Sequence, residues 1–337
     1  MLADIVVGLQ HGDEAKGKVT HHLCRNGGYT HVLRFNGGGN AGHTIYHEGK
    51  KFITHYIPAG VFHGIKSIIG GGCVLNVKHF FQEMEELKAA GIDTSLVKIA
   101  KNCHIITDEH LQEDRRDRKI GTTKRGTGPA YRNKYNRSGT TARSVLTLGP
   151  YLVDLYEELH ASSDTKVLCE GAQGFGLDID WGDYPYVTSS HCTAASALLN
   201  GIPPSAVRHV WGVGKVYDTY VGTKNFEPDE EIFSELRSLG EEYGATTGRP
   251  RQCNWLDLSA LNKSIQINGA THVVLNKADV LDALGVWKLK HNKELKVFSS
   301  QREMCDYITS NIQGCLENTP IEVIFSGDKH SIESYIG

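Results

Sequence analysis

Apolar and polar positions fall in short blocks along the chain. Residues 3–9 (Ala-Asp-Ile-Val-Val-Gly-Leu) form a β-branched apolar run, which predicts a strand buried on both faces. A glycine-bearing loop follows. Residues 15–25 then read as a helix that Asn26-Gly27-Gly28 breaks. Residues 30–35 predict a second strand, closed by Asn36-Gly37-Gly38-Gly39. Ile45-Tyr46 and residues 51–54 flank His47-Glu48-Gly49-Lys50, a hairpin pattern. Val77, Phe80, Phe81, Met84 and Leu87 recur at helical spacing and predict one core-facing helix face. Strand-like runs return at 96–100, 167–169, 207–217, 272–276 and 321–326, with helical patterns between several of them. This order predicts an α/β fold with a largely parallel central sheet and flanking helices. Both ends carry strand patterns able to join one sheet, so residues 1–337 are expected to form a single elaborated domain. Residues 119–139, rich in Gly, Thr, Arg and Asn, resist assignment, and a loop of that length is expected to be functional or mobile.

Composition narrows the function classes. Lys plus Arg is 36 and Asp plus Glu is 39, a net charge of −3, which gives no electrostatic support to a general nucleic-acid or polybasic membrane mode. No apolar run approaches the ~20 residues of a membrane span. The first residues lack a basic n-region, so no signal peptide is expected. The eight cysteines are scattered without a C-x-x-C, which predicts reduced thiols and a cytoplasmic location. The 37 glycines cluster after predicted strands and point to sites lined by backbone.

The candidate chemistry sits at those strand ends. Gly12-Asp13-Glu14-Ala15-Lys16-Gly17-Lys18-Val19 fits the phosphate-loop spacing G-x-x-x-x-G-K but carries Val19 where a Ser or Thr would hold magnesium. Backbone N–H groups at such a turn can still cradle phosphate oxygens. Asp13 is out of place there, because a carboxylate repels phosphate; it must bind a metal, take a proton or leave the site. Asn276-Lys277-Ala278-Asp279 ends another predicted strand and suits guanine, whose N1–H and 2-amino group both donate to one carboxylate. In the same motif the lysine stem can cover the ring and the asparagine can tie neighbouring loops together. Phe325-Ser326-Gly327-Asp328 can bring backbone N–H groups to the guanine O6. His43, in Asn40-Ala41-Gly42-His43-Thr44, can exchange protons near neutral pH. Gln173, in Glu170-Gly171-Ala172-Gln173-Gly174, can both donate to and accept from a purine edge. Tyr184-Pro185-Tyr186-Val187-Thr188-Ser189-Ser190 adds hydroxyls, and Thr246-Thr247-Gly248-Arg249-Pro250-Arg251 adds two guanidiniums suited to carboxylate or phosphate. Each segment alone reads as an ordinary loop; their shared position at strand ends is the argument for a site.

Taken in order, these motifs, together with Ile120-Gly121-Thr122-Thr123, Gly128-Pro129-Ala130-Tyr131 and Trp255-Leu256-Asp257, resemble adenylosuccinate synthetase almost end to end, in a compact form similar to that of archaea and some viruses. The resemblance implies a ligase that joins L-aspartate to C6 of IMP with GTP and Mg²⁺. Asp13 would remove the N1 proton so that O6 attacks the γ-phosphate, and His43 would act as general acid, with Lys16 on the phosphates. Mg²⁺ would be held by Asp13 and the Gly42 carbonyl. The substrates would be held by Asn40, Ala41, Thr123, Gln173, Thr188, Thr246, Thr247 and Arg249, with Arg137 reaching the 5′-phosphate of a partner subunit in a homodimer. GTP would be held by Gly12, Glu14, Ala15, Gly17, Lys18, Thr44, Arg251, Lys277, Asp279, Ser326 and Gly327.

Several positions depart from the family pattern. Ala15 replaces a usual glycine and would be strained at positive φ; His11 stands where tryptophan is usual and Gly39 where histidine is common; Pro250 interrupts a run of arginines. Val221-Gly222-Thr223-Lys224-Asn225-Phe226-Glu227-Pro228 replaces the usual loop near the sugar. Two other readings follow: a viral-type enzyme that acts on dGMP, and a GTP-binding module without catalysis. Asp13 favours IMP over dGMP, whose 2-amino group needs room there. The joint presence of Asp13, His43 and Gln173 argues against a mere module, which needs none of them.

Overall fold

The structure is a computed structural model, and it describes residues 1–244, 248–317, 319–327 and 332. Among these, nine strands form one sheet, in the spatial order Glu322–Ser326, His272–Asn276, Val207–Lys215, Leu2–Gly8, Lys166–Glu170, His31–Arg34, Lys66–Ile69, Val97–Ala100 and Leu152–Val153. Every neighbouring pair in it is parallel. Residues 3–8 of the central strand are buried throughout, as an all-parallel sheet covered on both faces requires.

The helix Lys16–Asn26 buries Val19, Leu23 and Cys24 against Val6, Val32, Leu168 and Val213 of the sheet. It stops where Gly27 caps it by donating its N–H to the Leu23 carbonyl, as the Asn-Gly-Gly break predicts. The helix Val77–Ala89 is capped by Asn76, whose side chain accepts from the His79 N–H at 3.0 Å, and buries Phe80, Met84 and Leu87. The expected hairpin pairs His43–His47 with Lys50–Thr54.

Two expectations need correction. The run at 207–217 is not one strand. It ends at Lys215, and Tyr217–Tyr220 joins a second sheet, antiparallel to Gln252–Asp257. The reason lies outside the run. The neighbouring strand Leu2–Gly8 turns away after Gly8, and the Gln10 amide takes its place. It accepts from the Lys215 N–H at 2.7 Å and donates to the carbonyls of Lys215 and Tyr217 at 3.2 and 3.0 Å. Second, the unassigned stretch 119–139 contains a helix, Thr127–Tyr135, which buries Ala130 and Tyr131. All eight cysteines are buried and unpaired, as read. No helix among the described residues is long and apolar enough to cross a membrane.

Candidate functional site at the carboxyl edge of the sheet

Six adjacent strands end on one side of the sheet, and the segments that follow them wall a cleft of about 620 Å³. The carboxyl edge of a parallel sheet is where such folds bind ligands. The loop after Leu2–Gly8 lies at its centre. The turns after His272–Asn276 and Glu322–Ser326 lie to one side, and those after Lys166–Glu170 and His31–Arg34 to the other. The Asn276-Lys277-Ala278-Asp279 motif and the His43/Gln173 motifs therefore flank Asp13 from opposite sides.

The central loop is wound tightly: Gly12, Asp13 and Ala15 have φ of 87°, 58° and 69°. Ala15 adopts the left-handed conformation at the N-cap of the helix Lys16–Asn26, so the alanine that replaces the usual glycine is strained. Glu14 holds this shape. Its fully buried carboxylate accepts from the N–H groups of Gly12 and Gln10 at 2.8 and 3.2 Å and from Lys16 Nζ at 2.6 Å. The Glu14 side chain thus faces inward and engages the Lys16 ammonium. Gly174 is tied to the same arrangement, because a Cβ there would lie 2.3 Å from Glu14 Oε1 and 2.5 Å from the Gln10 carbonyl.

Asp13 opens on the cleft and accepts from Arg251 Nε at 2.8 Å. The same guanidinium donates through Nη1 to Glu242, which also accepts from Lys215 Nζ at 3.2 Å and the Tyr217 hydroxyl at 2.6 Å. Burial works against the Glu242 charge, but Lys215 and Arg251 hold its carboxyl at about 2. After the strand His272–Asn276, the Asn276 amide donates to the Glu14 carbonyl at 2.8 Å, the loop tie expected of it. Lys277 donates to the Gly240 carbonyl at 2.7 Å. Asp279 Oδ1 is buried without a protein partner, and burial raises its pKa. Lys18 donates to Ser326 Oγ at 3.0 Å, so Ser326 lies behind the wall that Lys18 and Gly327 form.

On the other side, Gln173 has φ of 57°, and both polar atoms of its buried amide lack protein partners. Such an amide is costly unless a ligand completes it. His43 is buried, its Nδ1 lies 2.7 Å from Glu170 Oε1, and its Nε2 has no partner. Burial and then Arg34 push its pKa down to about 4. Asn40, Ala41, Gly42, Thr44, Thr123, Thr188 and Arg249 all reach the wall. Thr246 and Thr247 lie outside the described residues, as does Asp328. Arg137 is exposed, has φ of 63° and is not in the wall of its own chain's cleft.

The departures now have physical settings. A Cβ at Gly39 would sit 2.4 Å from the Tyr56 hydroxyl, which fills the space a histidine would need. His11 Nε2 lies 3.5 Å from Asp183, which also pairs with Lys224 of the altered loop. Thr223 of that loop donates to the Lys119 carbonyl at 2.9 Å. The motifs did not single out Glu170, Arg34, Glu242 or Lys215. Glu170 alone carried a signal, as an acid directly after the apolar run at 167–169.

Comparison with known proteins gives the same answer across the chain. The family model for adenylosuccinate synthetase matches residues 5–148 and 141–335. An adenylosuccinate synthetase of Phocaeicola vulgatus is 38% identical over 84% of this chain and 79% of its own length. That of Shouchella clausii is 36% identical over 95% and 86%. The fully ligated adenylosuccinate synthetase of Plasmodium falciparum superposes with a TM-score of 0.84 at 28% identity, covering 98% of both chains. The succinoaminodeoxyadenylate synthetase of cyanophage S-2L, bound to dGMP and to dATP as an energy donor, shares the fold with a TM-score of 0.72 at 20% identity, covering 92% of this chain and 99% of its own. The chain belongs to the adenylosuccinate synthetase family, the GTP-dependent ligases that join L-aspartate to IMP.

Proposed function

We propose that the cleft joins L-aspartate to IMP in two steps, with GTP on the Lys277/Asp279 side and IMP on the Gln173/His43 side. The observation that supports this reading is the placement of Asp13 between those two sides, open to the cleft. In the first step Asp13 takes the N1 proton of IMP. The electron pair moves to O6, O6 forms a bond to the γ-phosphorus, and the bond from that phosphorus to GDP breaks. Nε2 of His43 faces the transferring phosphoryl. In the second step the aspartate amine forms the bond to C6, the C6–O6 bond breaks, and phosphate leaves with O6 and the amine proton. Gln173 completes its unpartnered amide on the purine edge. Arg249 and the Thr246-Thr247 pair hold the aspartate carboxylates. Arg251, now on Asp13, is placed to exchange onto a phosphate oxygen as GTP enters.

The Asp13 carboxylate and the Gly42 carbonyl, both in the cleft wall, are hard oxygen donors that suit Mg²⁺, whereas the Val19 side chain offers none. Mg²⁺ bound there would neutralise phosphate charge. Arg137, exposed and outside its own cleft, belongs in this reading to the 5′-phosphate in a partner's cleft, which makes the enzyme a homodimer. Eight unpaired cysteines fit a cytoplasmic location.

Purified protein given Mg²⁺, GTP and aspartate with either IMP or dGMP tests the reading by product mass. Adenylosuccinate is expected from IMP. A product from dGMP alone would transfer the activity to the deoxynucleotide. GTP hydrolysis without any acceptor would leave only a GTP-binding module. Asp13→Asn is expected to abolish turnover while nucleotide binding stays measurable, and normal turnover in that variant would remove Asp13 as the base.

A further inference from the structure

We propose that Glu170 is the positioning residue of His43: its carboxylate holds the imidazole through Nδ1–H and so reserves Nε2 for the reacting oxygen. The catalytic part of this inference rests on the reading of His43 given above; the positioning part rests on geometry alone.

Glu170 closes the strand Lys166–Glu170 and is wholly buried. Its two oxygens receive three donors from three separate segments. Oε1 accepts from His43 Nδ1 at 2.7 Å and from Arg34 Nη1 at 3.0 Å, and Oε2 accepts from the Ala59 N–H at 2.8 Å. Arg34 is itself fixed, because its Nε donates to the Asn36 carbonyl at 3.2 Å. A carboxylate held on both oxygens cannot swing, so it acts as a rigid anchor for the ring.

The tautomer follows from the same distances. An ionised carboxylate only accepts, so 2.7 Å between Glu170 Oε1 and Nδ1 requires the proton on Nδ1. The opposite tautomer would set two lone pairs against each other at that distance. It would gain only the longer 3.2 Å approach of Arg34 Nη1 to Nδ1. Arg34 Nη1 and the Ala59 N–H also donate to Glu170, one to each oxygen, so its carboxylate is the acceptor that this argument needs. Nε2 is then the ring atom left for a ligand, and it is buried without a protein partner. Without Glu170, Arg34 would be the group beside Nδ1. A donor there holds the lone pair on Nδ1 and disfavours the imidazolium, the form in which Nε2 can give a proton to the reacting oxygen. Glu170 therefore decides which face of His43 meets the substrate.

The test combines kinetics with a spectroscopic readout. In the wild-type protein labelled with ¹⁵N-histidine, His43, assigned by its loss in His43→Asn, is expected to show the Nδ1–H form. An Nε2–H form would overturn the proposal and leave the function reading intact. Glu170→Gln is expected to lower kcat by roughly 10²–10⁴-fold, the usual worth of a positioned acid–base group, with KM for IMP and GTP nearly unchanged. The double variant Glu170→Gln/His43→Asn is expected to be no slower than His43→Asn alone, because Glu170 acts through the ring. Losses that multiply, or a rise in KM with kcat intact, would show a merely structural residue. Full turnover in His43→Asn would instead remove His43 from the chemistry, while the wild-type spectrum still decides what Glu170 does. That spectrum needs no substitution at Glu170, so poor folding of Glu170→Gln does not shield the proposal.

Discussion

Replacing Glu242 with Gln tests whether one buried acid organises the cations Lys215 and Arg251 beside the cleft. Glu242 is fully buried and serves Lys215 Nζ, Arg251 Nη1 and the Tyr217 hydroxyl. Gln keeps the volume and one acceptor oxygen but removes the charge. Arg251 can still reach Asp13, at 2.8 Å from Nε. Lys215, 1% exposed, has no route to water and keeps Thr219 Oγ1 as its remaining acceptor. Removing one partner of a buried pair costs about 3–5 kcal/mol. The retained amide oxygen places this case near about 3 kcal/mol. At about 2 °C per kcal/mol for a chain of this size, the melting temperature falls by roughly 6 °C. The pH dependence is a sharper signature. The Glu242 pKa in the fold, about 2, lies below the ordinary value, so its contribution is complete above pH 4.5 and is lost as pH falls toward 2. Calorimetry of both proteins from pH 8 to pH 3 should therefore show a constant gap near neutrality that narrows below about pH 4. Equal melting temperatures at pH 7, or a gap that does not narrow in acid, would refute the reasoning.

Two further substitutions probe the strained loop and the base reader. Ala15→Gly should relieve about 1–2 kcal/mol of left-handed strain at φ 69°. The added freedom of the unfolded chain returns about 0.4–1 kcal/mol, so a net gain near 0.5–1 kcal/mol is expected in urea unfolding. A loss would show that the alanine methyl makes a contact of its own. Asp279→Asn removes the carboxylate whose Oδ1 stands buried and unpartnered. If it reads guanine, a charged hydrogen bond worth about 1.5–3 kcal/mol is lost, and KM for GTP should rise about 10–150-fold while KM for IMP holds. An unchanged preference for GTP over ATP would place the base elsewhere.

What the sequence could and could not convey divides along distance in the chain. The helix Lys16–Asn26 and the strand Leu2–Gly8 were legible because their apolar periods and glycine stops are local. The helix Thr127–Tyr135 was not, because its apolar face is only Ala130 and Tyr131 and it begins at Gly126 with φ of 76° rather than at a side-chain cap. The end of a strand at Lys215 was hidden because Gln10, 205 residues away, supplies the partner that replaces the ladder. The site divides in the same way. Motif spacing named Asp13, His43, Gln173 and Asp279, since each motif carries its chemistry within a few residues. It did not reveal what each side chain touches. Arg251 meets Asp13 across 238 positions and Glu170 meets His43 across 127. Even the nearest pair escaped it, because the contact between Glu14 and Lys16, two residues apart, depends on left-handed backbone at Ala15, where a glycine would be at ease. Sequence spacing therefore identifies which groups an active site contains, whereas their protonation, orientation and availability depend on partners that only the fold brings near. This is why Glu170, which opens the Gln173 motif without a role of its own there, meets Nδ1 of His43 only through the fold.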